Sequence, residues 1–119
     1  MKTIVIIDDE FSLVDALATT LSDVGYRVDT AANGLQGLEA MAEQAPDLVL
    51  LDYMMPLLDG PGVLARMRAD ERLAKVPVVM MSALPESTVR LKCSGYAAFL
   101  RKPFSFDALL TTVERVLQG

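Results

Sequence analysis

The sequence contains no histidine. That absence removes imidazole general bases, histidine metal ligands and phosphohistidine from the chemistry this chain can perform by itself. Cysteine occurs once, at Cys93. An intramolecular disulfide is therefore excluded, and the lone cysteine reads as a small, semi-buried apolar residue. No apolar run approaches the ~20 residues needed to span a bilayer. Met1-Lys2-Thr3 leads straight into the apolar residues 4–7 and an acidic cluster, without the longer apolar stretch and small-residue cleavage site of a secretory signal. A cytoplasmic protein with no membrane contact is the expectation. Basic residues are scarce in the first half: residues 1–60 carry two basic and eleven acidic side chains, whereas residues 90–119 carry five basic and two acidic. The net charge of −5 argues against direct nucleic-acid binding by this chain. The asymmetry suits one half to holding a cation and gives the other a modestly basic face.

What is present suits folding. The chain has 119 residues, 52% of them hydrophobic, enough for one domain with one core. Apolar runs alternate with helical periods. Residues 4–7 form a short apolar strand. Val14, Leu17, Leu21 and Val24 recur at helical spacing until Gly25 stops them. Residues 27–31 alternate polar and apolar, as an edge strand does. Leu35, Leu38 and Met41 mark a second helix, residues 48–51 a buried strand, and Val63, Leu64 and Met67 a third helix. Residues 76–81 read as a fourth strand with Pro77 near its start, 86–92 as a short helix, and 96–100 as a fifth strand. Ser105 is a plausible N-cap for a last helix carrying Phe106, Leu109, Leu110, Val113 and Leu117 on one face. Five β/α repeats imply an α/β fold: a doubly wound, five-stranded parallel sheet flanked by five helices. The three wholly apolar strands belong in its middle and the alternating strand at an edge, which the flavodoxin-like order 2-1-3-4-5 satisfies. No linker or repeat is visible and the last helix ends the chain. A single domain over residues 1–119 is expected.

Sites in such sheets lie beyond the carboxyl ends of the strands. There the first strand ends on Asp8-Asp9-Glu10, the third on Asp52 and the fourth on Ser82, while Lys102-Pro103 follows the fifth. Taken singly these are ordinary. An aspartate at a strand end caps or turns the chain, paired acids decorate a helix N-terminus, and a serine or lysine there is solvated. Taken together, at the ends of four adjacent strands, they form a constellation of carboxylates, a hydroxyl and an ammonium. Clustered carboxylates repel and raise one another's pKa unless a cation neutralises them. Hard oxygen donors select Mg²⁺ or Mn²⁺ over softer metals. An aspartate held in a cation site can act as a nucleophile toward phosphorus, with the charge on the phosphoryl oxygens taken up by the metal, Lys102 and Ser82.

The ordered motifs "IVIIDDE", "LVLLDYMMPLLDG", "VVMMSA" and "FLRKPF" resemble the response-regulator receiver domain, the phosphoacceptor module of two-component signalling, over the whole chain. The resemblance implies that Asp52 is the phosphorylated residue. It implies that Asp8 and Asp9 form the acid pocket, with Asp9, Asp52 and the Met54 backbone carbonyl ligating Mg²⁺ and Asp8 acting mainly through water. Ser82 would bind a phosphoryl oxygen, Lys102 would pair with Asp52 or its phosphate, and the Lys102–Pro103 bond would be cis. Phe99 stands where the family has its switch aromatic, usually a tyrosine. Without a hydroxyl, its inward and outward states would differ mainly in packing. Such a domain is not an enzyme on a separate substrate, since it catalyses only its own phosphorylation and dephosphorylation. The implied partners are a sensor histidine kinase or histidine phosphotransferase as donor, which fits the absence of histidine here, and a downstream protein target. A monomer and a phosphorylation-dependent dimer are both compatible. Arg90, Lys92, Arg101 and Arg115 would make the helix-four to helix-five face basic and suited to an acidic or amphipathic partner. Met54 and Leu84, each two residues beyond Asp52 and Ser82, are apolar and cannot orient an attacking water, so slow self-dephosphorylation is expected.

Other classes fit less well. A phosphohydrolase with an aspartate nucleophile wants Asp-x-Asp after the first strand, and this chain has Asp-x-Glu with no room for a cap domain. A flavin or nucleotide domain of this topology needs a Gly/Ser/Thr-rich first loop to cradle phosphate, and an acidic loop repels it. The remaining alternative is a receiver-like interaction module that is never phosphorylated.

Overall fold

The computed structural model describes residues 1–119. Its elements alternate throughout: β1 (Thr3–Ile7), α1 (Phe11–Asp23), β2 (Arg27–Ala31), α2 (Gly34–Glu43), β3 (Leu48–Asp52), α3 (Gly60–Ala69), β4 (Val78–Ser82), α4 (Glu86–Arg90), β5 (Ala98–Arg101) and α5 (Phe106–Gln118). The five strands are parallel in the order β2-β1-β3-β4-β5. Every residue of β1, β3 and β4 is buried, while in β2 only Ala31 is, the other four being half-buried or exposed. A strand covered on both faces reads as a continuous apolar run, and a half-covered one does not.

Successive side chains of a strand point to opposite faces, and two cores result. Val5, Ile7, Val49, Leu51, Val78 and Met80 face Met41, Val63, Leu64, Met67 and Val89 of α2, α3 and α4. Ile4, Ile6, Leu48, Leu50, Val79 and Met81 face Val14, Leu17, Leu21, Leu109 and Val113 of α1 and α5. Burying one such side chain contributes about 1.5–3 kcal/mol. These two cores hold the strand ends in place.

Local chemistry sets the element ends. α1 closes with Gly25 at φ 100°, where the Gly25 N–H donates to the Ser22 carbonyl and the Tyr26 N–H to the Leu21 carbonyl, the Schellman pattern that glycine permits. Asn33, Asp59 and Ser105 cap α2, α3 and α5 by accepting the amides of Gln36, Gly62 and Ala108. α4 has no side-chain cap and spans five residues.

The expected boundaries shift in several places. β4 begins at Val78 rather than residue 76, because Pro77 has no N–H for the ladder; its carbonyl still accepts the Val49 amide. β5 begins at Ala98 rather than 96, and α4 ends at Arg90 rather than 92. Leu35 and Phe106 are exposed, off the apolar faces of their helices, and Val24 is exposed just past the end of α1.

Candidate functional site

The register places the chemistry. Ile7 lies opposite Leu51, Asp52 opposite Met81, and Ser82 opposite Arg101. The carboxyl ends of β1, β3, β4 and β5 therefore finish at one level, and the residues just past them share a space. Asp8, Asp9 and Asp52 each offer a carboxylate oxygen, and those oxygens lie within 4.8 Å of one another. Asp8 and Asp52 are buried and Asp9 is exposed.

Lys102 reaches this cluster from beyond β5. Its Nζ donates to Asp8 Oδ2 at 2.7 Å and to Asp52 Oδ1 at 3.2 Å. Lys102 was expected to pair with Asp52; its shorter bond is to Asp8. Burial opposes the ammonium charge, yet the hydrogen bonds and charges of Asp8 and Asp52 hold the Lys102 pKa above the usual lysine value. One ammonium does not balance three carboxylates. Desolvation, and then the Asp8 charge, push the Asp52 carboxyl up to about 6 against the pull of Lys102. A carboxylate in that position gains from a cation. The all-oxygen donor set fits a hard divalent ion, with Asp9 exposed toward solvent and Asp52 Oδ2 carrying no protein hydrogen bond.

Backbone contacts fix these groups. The Asp8 amide donates to the Ala31 carbonyl, Asp8 Oδ1 accepts the Glu10 amide at 2.9 Å, and the Tyr53 amide donates to the Met81 carbonyl. The Lys102 amide donates to the Ser82 carbonyl, and the Lys102–Pro103 peptide is cis as expected. Ser82 is buried beside the site, and its Oγ accepts the Leu84 amide at 3.0 Å. Phe99 is half-buried in the core shared with Val89 and Cys93. Met54 and Leu84 both line a groove between α3 and α4 with Asp59 and Lys92, and both are exposed there.

Of the four basic residues expected to form one face, Arg115 is set apart. Arg115 lies near Lys2, Lys75 and Pro77, at the amino ends of the strands and far from the site. Arg90 is paired with Glu86 at 3.1 Å, and Arg101 donates to the Ala83 carbonyl at 3.3 Å. Lys92 sits at the rim of the Met54–Leu84 groove. Helical spacing shows the Glu86–Arg90 pair at i,i+4, but not the Arg101 contact or the place of Arg115, which depend on how elements meet.

Two positioning features escaped sequence reading. Gly60 starts α3 against the strand end: a Cβ there would lie 2.6 Å from the Asp52 carbonyl oxygen and 2.9 Å from Tyr53 Cα. Only glycine allows that approach, and "DG" before a helix was the signal. Arg68 spans the base of β4 and β5, its guanidinium donating to the carbonyls of Ala74, Val76 and Gly95; nothing in the sequence marks it.

A family model for the response regulator receiver domain matches residues 4–114. The chain belongs to the response-regulator receiver family. This receiver is 37% identical to the DNA-binding dual master transcriptional regulator RpaA of Synechocystis sp., over 99% of this chain and 50% of that protein. It is 32% identical to the phosphate regulon transcriptional regulatory protein PhoB of Pseudomonas aeruginosa, over 98% of this chain and 52% of that one. The chain thus spans about half the length of the curated relatives it matches. Among solved structures, the Vibrio cholerae chemotaxis protein CheY4 superimposes with a TM-score of 0.89 at 30% identity, covering 98% of both chains. The receiver domain of the P. aeruginosa sensor histidine kinase PA1611, with magnesium coordinated in its active site cleft, gives a TM-score of 0.92 at 28% identity over 99% and 98% of the two chains. The fold and the two-component receiver function follow from these matches. No helix is long and apolar enough to cross a membrane.

Proposed function

We propose that Asp52 accepts a phosphoryl group from the phosphohistidine of a partner kinase or phosphotransferase, using Mg²⁺, and that the acyl phosphate then alters protein contacts. The observation that carries this reading is the meeting of Asp8, Asp9 and Asp52 oxygens within 4.8 Å, with Lys102 bonded to two of them. In the transfer, one Asp52 oxygen forms a P–O bond while the donor's P–N bond breaks and the imidazole leaves. Lys102 holds Asp52 Oδ1 and stays within reach of the transferred oxygens. Ser82 would exchange the Leu84 amide for a phosphoryl oxygen. Asp9 and Asp52, with the Met54 carbonyl, would hold the cation, and Asp8 would orient Lys102 and metal-bound water. The cation, when bound, neutralises charge on the phosphoryl oxygens.

On this reading the chain turns over no separate substrate, and it works in the cytoplasm as a protein-contact switch. The phosphate-independent alternative leaves the raised Asp52 pKa and the Lys102 bridge without a use. Intact mass after incubation with acetyl phosphate decides between them. A Mg²⁺-dependent gain of one phosphoryl group, absent with EDTA and in Asp52→Asn, is expected. Equal phosphoryl gains, or none, on the wild type and Asp52→Asn, with acetyl phosphate and with a phosphorylated histidine donor, would overturn the proposal.

A further inference from the structure

Phe99 lacks the hydroxyl that would give its outward state a polar anchor. The structure supplies a hydroxyl three residues earlier. Tyr96 Oη donates to Glu86 Oε2 at 2.9 Å, and Arg90 Nε lies 3.2 Å from that carboxylate oxygen and 3.4 Å from the phenol. Arg90 Nη2 completes the pairing with Glu86 at 3.1 Å. Glu86 and Arg90 are the first and last residues of α4. The phenol thus ties both ends of that helix to the chain entering β5. The Tyr96 and Phe99 rings lie 6.2 Å apart with their planes tilted by 46°, close enough for one ring's rotation to disturb the other.

The two sides of this contact are not equally fixed. Behind Tyr96, Gly95 takes φ 92° and its carbonyl is held by Arg68 Nη2 at 3.1 Å. α4 itself is one short turn following Pro85, without a side-chain cap, and buries only Val89. Isolated helices of that length do not hold themselves together. Upstream, the segment is tethered by the Ser82 Oγ–Leu84 amide bond. The stretch from Ser82 to Lys102 therefore begins at the end of the strand beside the phosphoacceptor and ends on a group bonded to it, with the Glu86–Arg90–Tyr96 contact across its middle.

We infer that Glu86, Arg90 and Tyr96 form a latch that holds α4 and Phe99 in the unphosphorylated arrangement, and that opening it is coupled to occupation of Asp52. The inference rests on the phosphoacceptor reading of Asp52. When Ser82 turns to a phosphoryl oxygen, the Leu84 amide is released and the loop into α4 loosens. Phe99 gains room to move, and the Tyr96 ring moves with it, breaking the phenol–carboxylate bond. A contact made only in the resting state opposes activation by its own free energy. Glu86 and Arg90, freed from the phenol, become available on the surface that changes.

Tyr96→Phe removes only the hydroxyl and keeps the ring. In the free variant, amides of residues 86–92 should exchange about fivefold faster than in the wild type, the change expected from losing one accessible hydrogen bond. The apparent affinity for beryllofluoride with Mg²⁺, a phosphoryl mimic, should rise by a similar factor, about fivefold. The affinity for Mg²⁺ alone should stay unchanged. Glu86→Gln should act in the same direction, and the double variant should fall short of the sum, because both remove one contact. Unchanged exchange over 86–92 overturns the latch. Faster exchange with unaltered beryllofluoride affinity overturns its coupling to Asp52. A wild type that takes up no beryllofluoride overturns the phosphoacceptor reading itself, and the coupling with it.

Discussion

Two regions of this receiver differ in how they are held. β1, which leads into Asp8, and β3, which ends on Asp52, are buried along their whole length between two cores, and their ends are pinned by backbone hydrogen bonds and by Gly60. The stretch from Ser82 to Lys102 contains the shortest helix, with one buried residue, and is crossed by polar contacts at the surface. Rigid strand ends allow three carboxylates to be held together against their repulsion. A loosely packed segment can change at small cost. The difference assigns chemistry to one region and response to the other, since mobile elements are drawn from the least stable parts of a fold.

The sharpest way to break the comparison is to remove the bridge between the regions. Lys102→Ala should slow phosphorylation of Asp52 by acetyl phosphate about 100-fold, as loss of a preorganised donor to developing charge does elsewhere, measured as the initial rate of phosphoprotein formation. It should also push the Asp52 pKa further up, because Lys102 is what now lowers it. A second break targets the rigid side. Gly60→Ala forces a methyl into the Asp52 carbonyl, so it should cost about 1–3 kcal/mol of stability and weaken Mg²⁺ binding about tenfold; urea unfolding and Mg²⁺ titration check both.

The pH dependence sharpens the electrostatic half. The Asp52 carboxyl is raised to about 6, so the folded protein holds that proton more tightly than the unfolded chain does. This group's contribution to stability is therefore present at low pH, falls as pH rises toward about 6, and is absent above it. Metal-free Asp52→Asn should be more stable than wild type at pH 7.5 by about 1–3 kcal/mol, and the two should converge toward pH 4. Mg²⁺ binding should weaken as pH falls through about 6, where a proton competes for Asp52. The smallest effect concerns water at the groove shared by both regions. Met54→Asn with Leu84→Glu supplies groups that can orient an attacking water, and should shorten the acyl-phosphate lifetime several-fold, about 3–10 times, read by the decay of the phosphorylated mass.

How much of this was legible follows from the kind of interaction involved. The strand order and the meeting of Asp8, Asp9, Asp52, Ser82 and Lys102 follow from apolar runs and from which residue ends each run, because burial sets both. Asp52 raised its question by sitting at the end of a buried run. The expected basic face loses Arg115, which lies at the other end of the sheet, while Arg90 pairs with Glu86 and Arg101 with a carbonyl. The Glu86–Arg90 pair has ordinary i,i+4 spacing, but no periodicity encodes the Arg101 contact or the place of Arg115. The latch was hidden for the same reason: Tyr96 looked like the start of an apolar strand, and its phenol partners a helix ten residues away.

The most direct measurement is hydrogen exchange on the wild type, free and with beryllofluoride and Mg²⁺. The account predicts that exchange changes are concentrated in residues 83–101, with the amides of β1 and β3 within twofold of their free values. Equal protection in 83–101 with changes spread over the strands would contradict the division between a rigid chemical site and a yielding α4 segment.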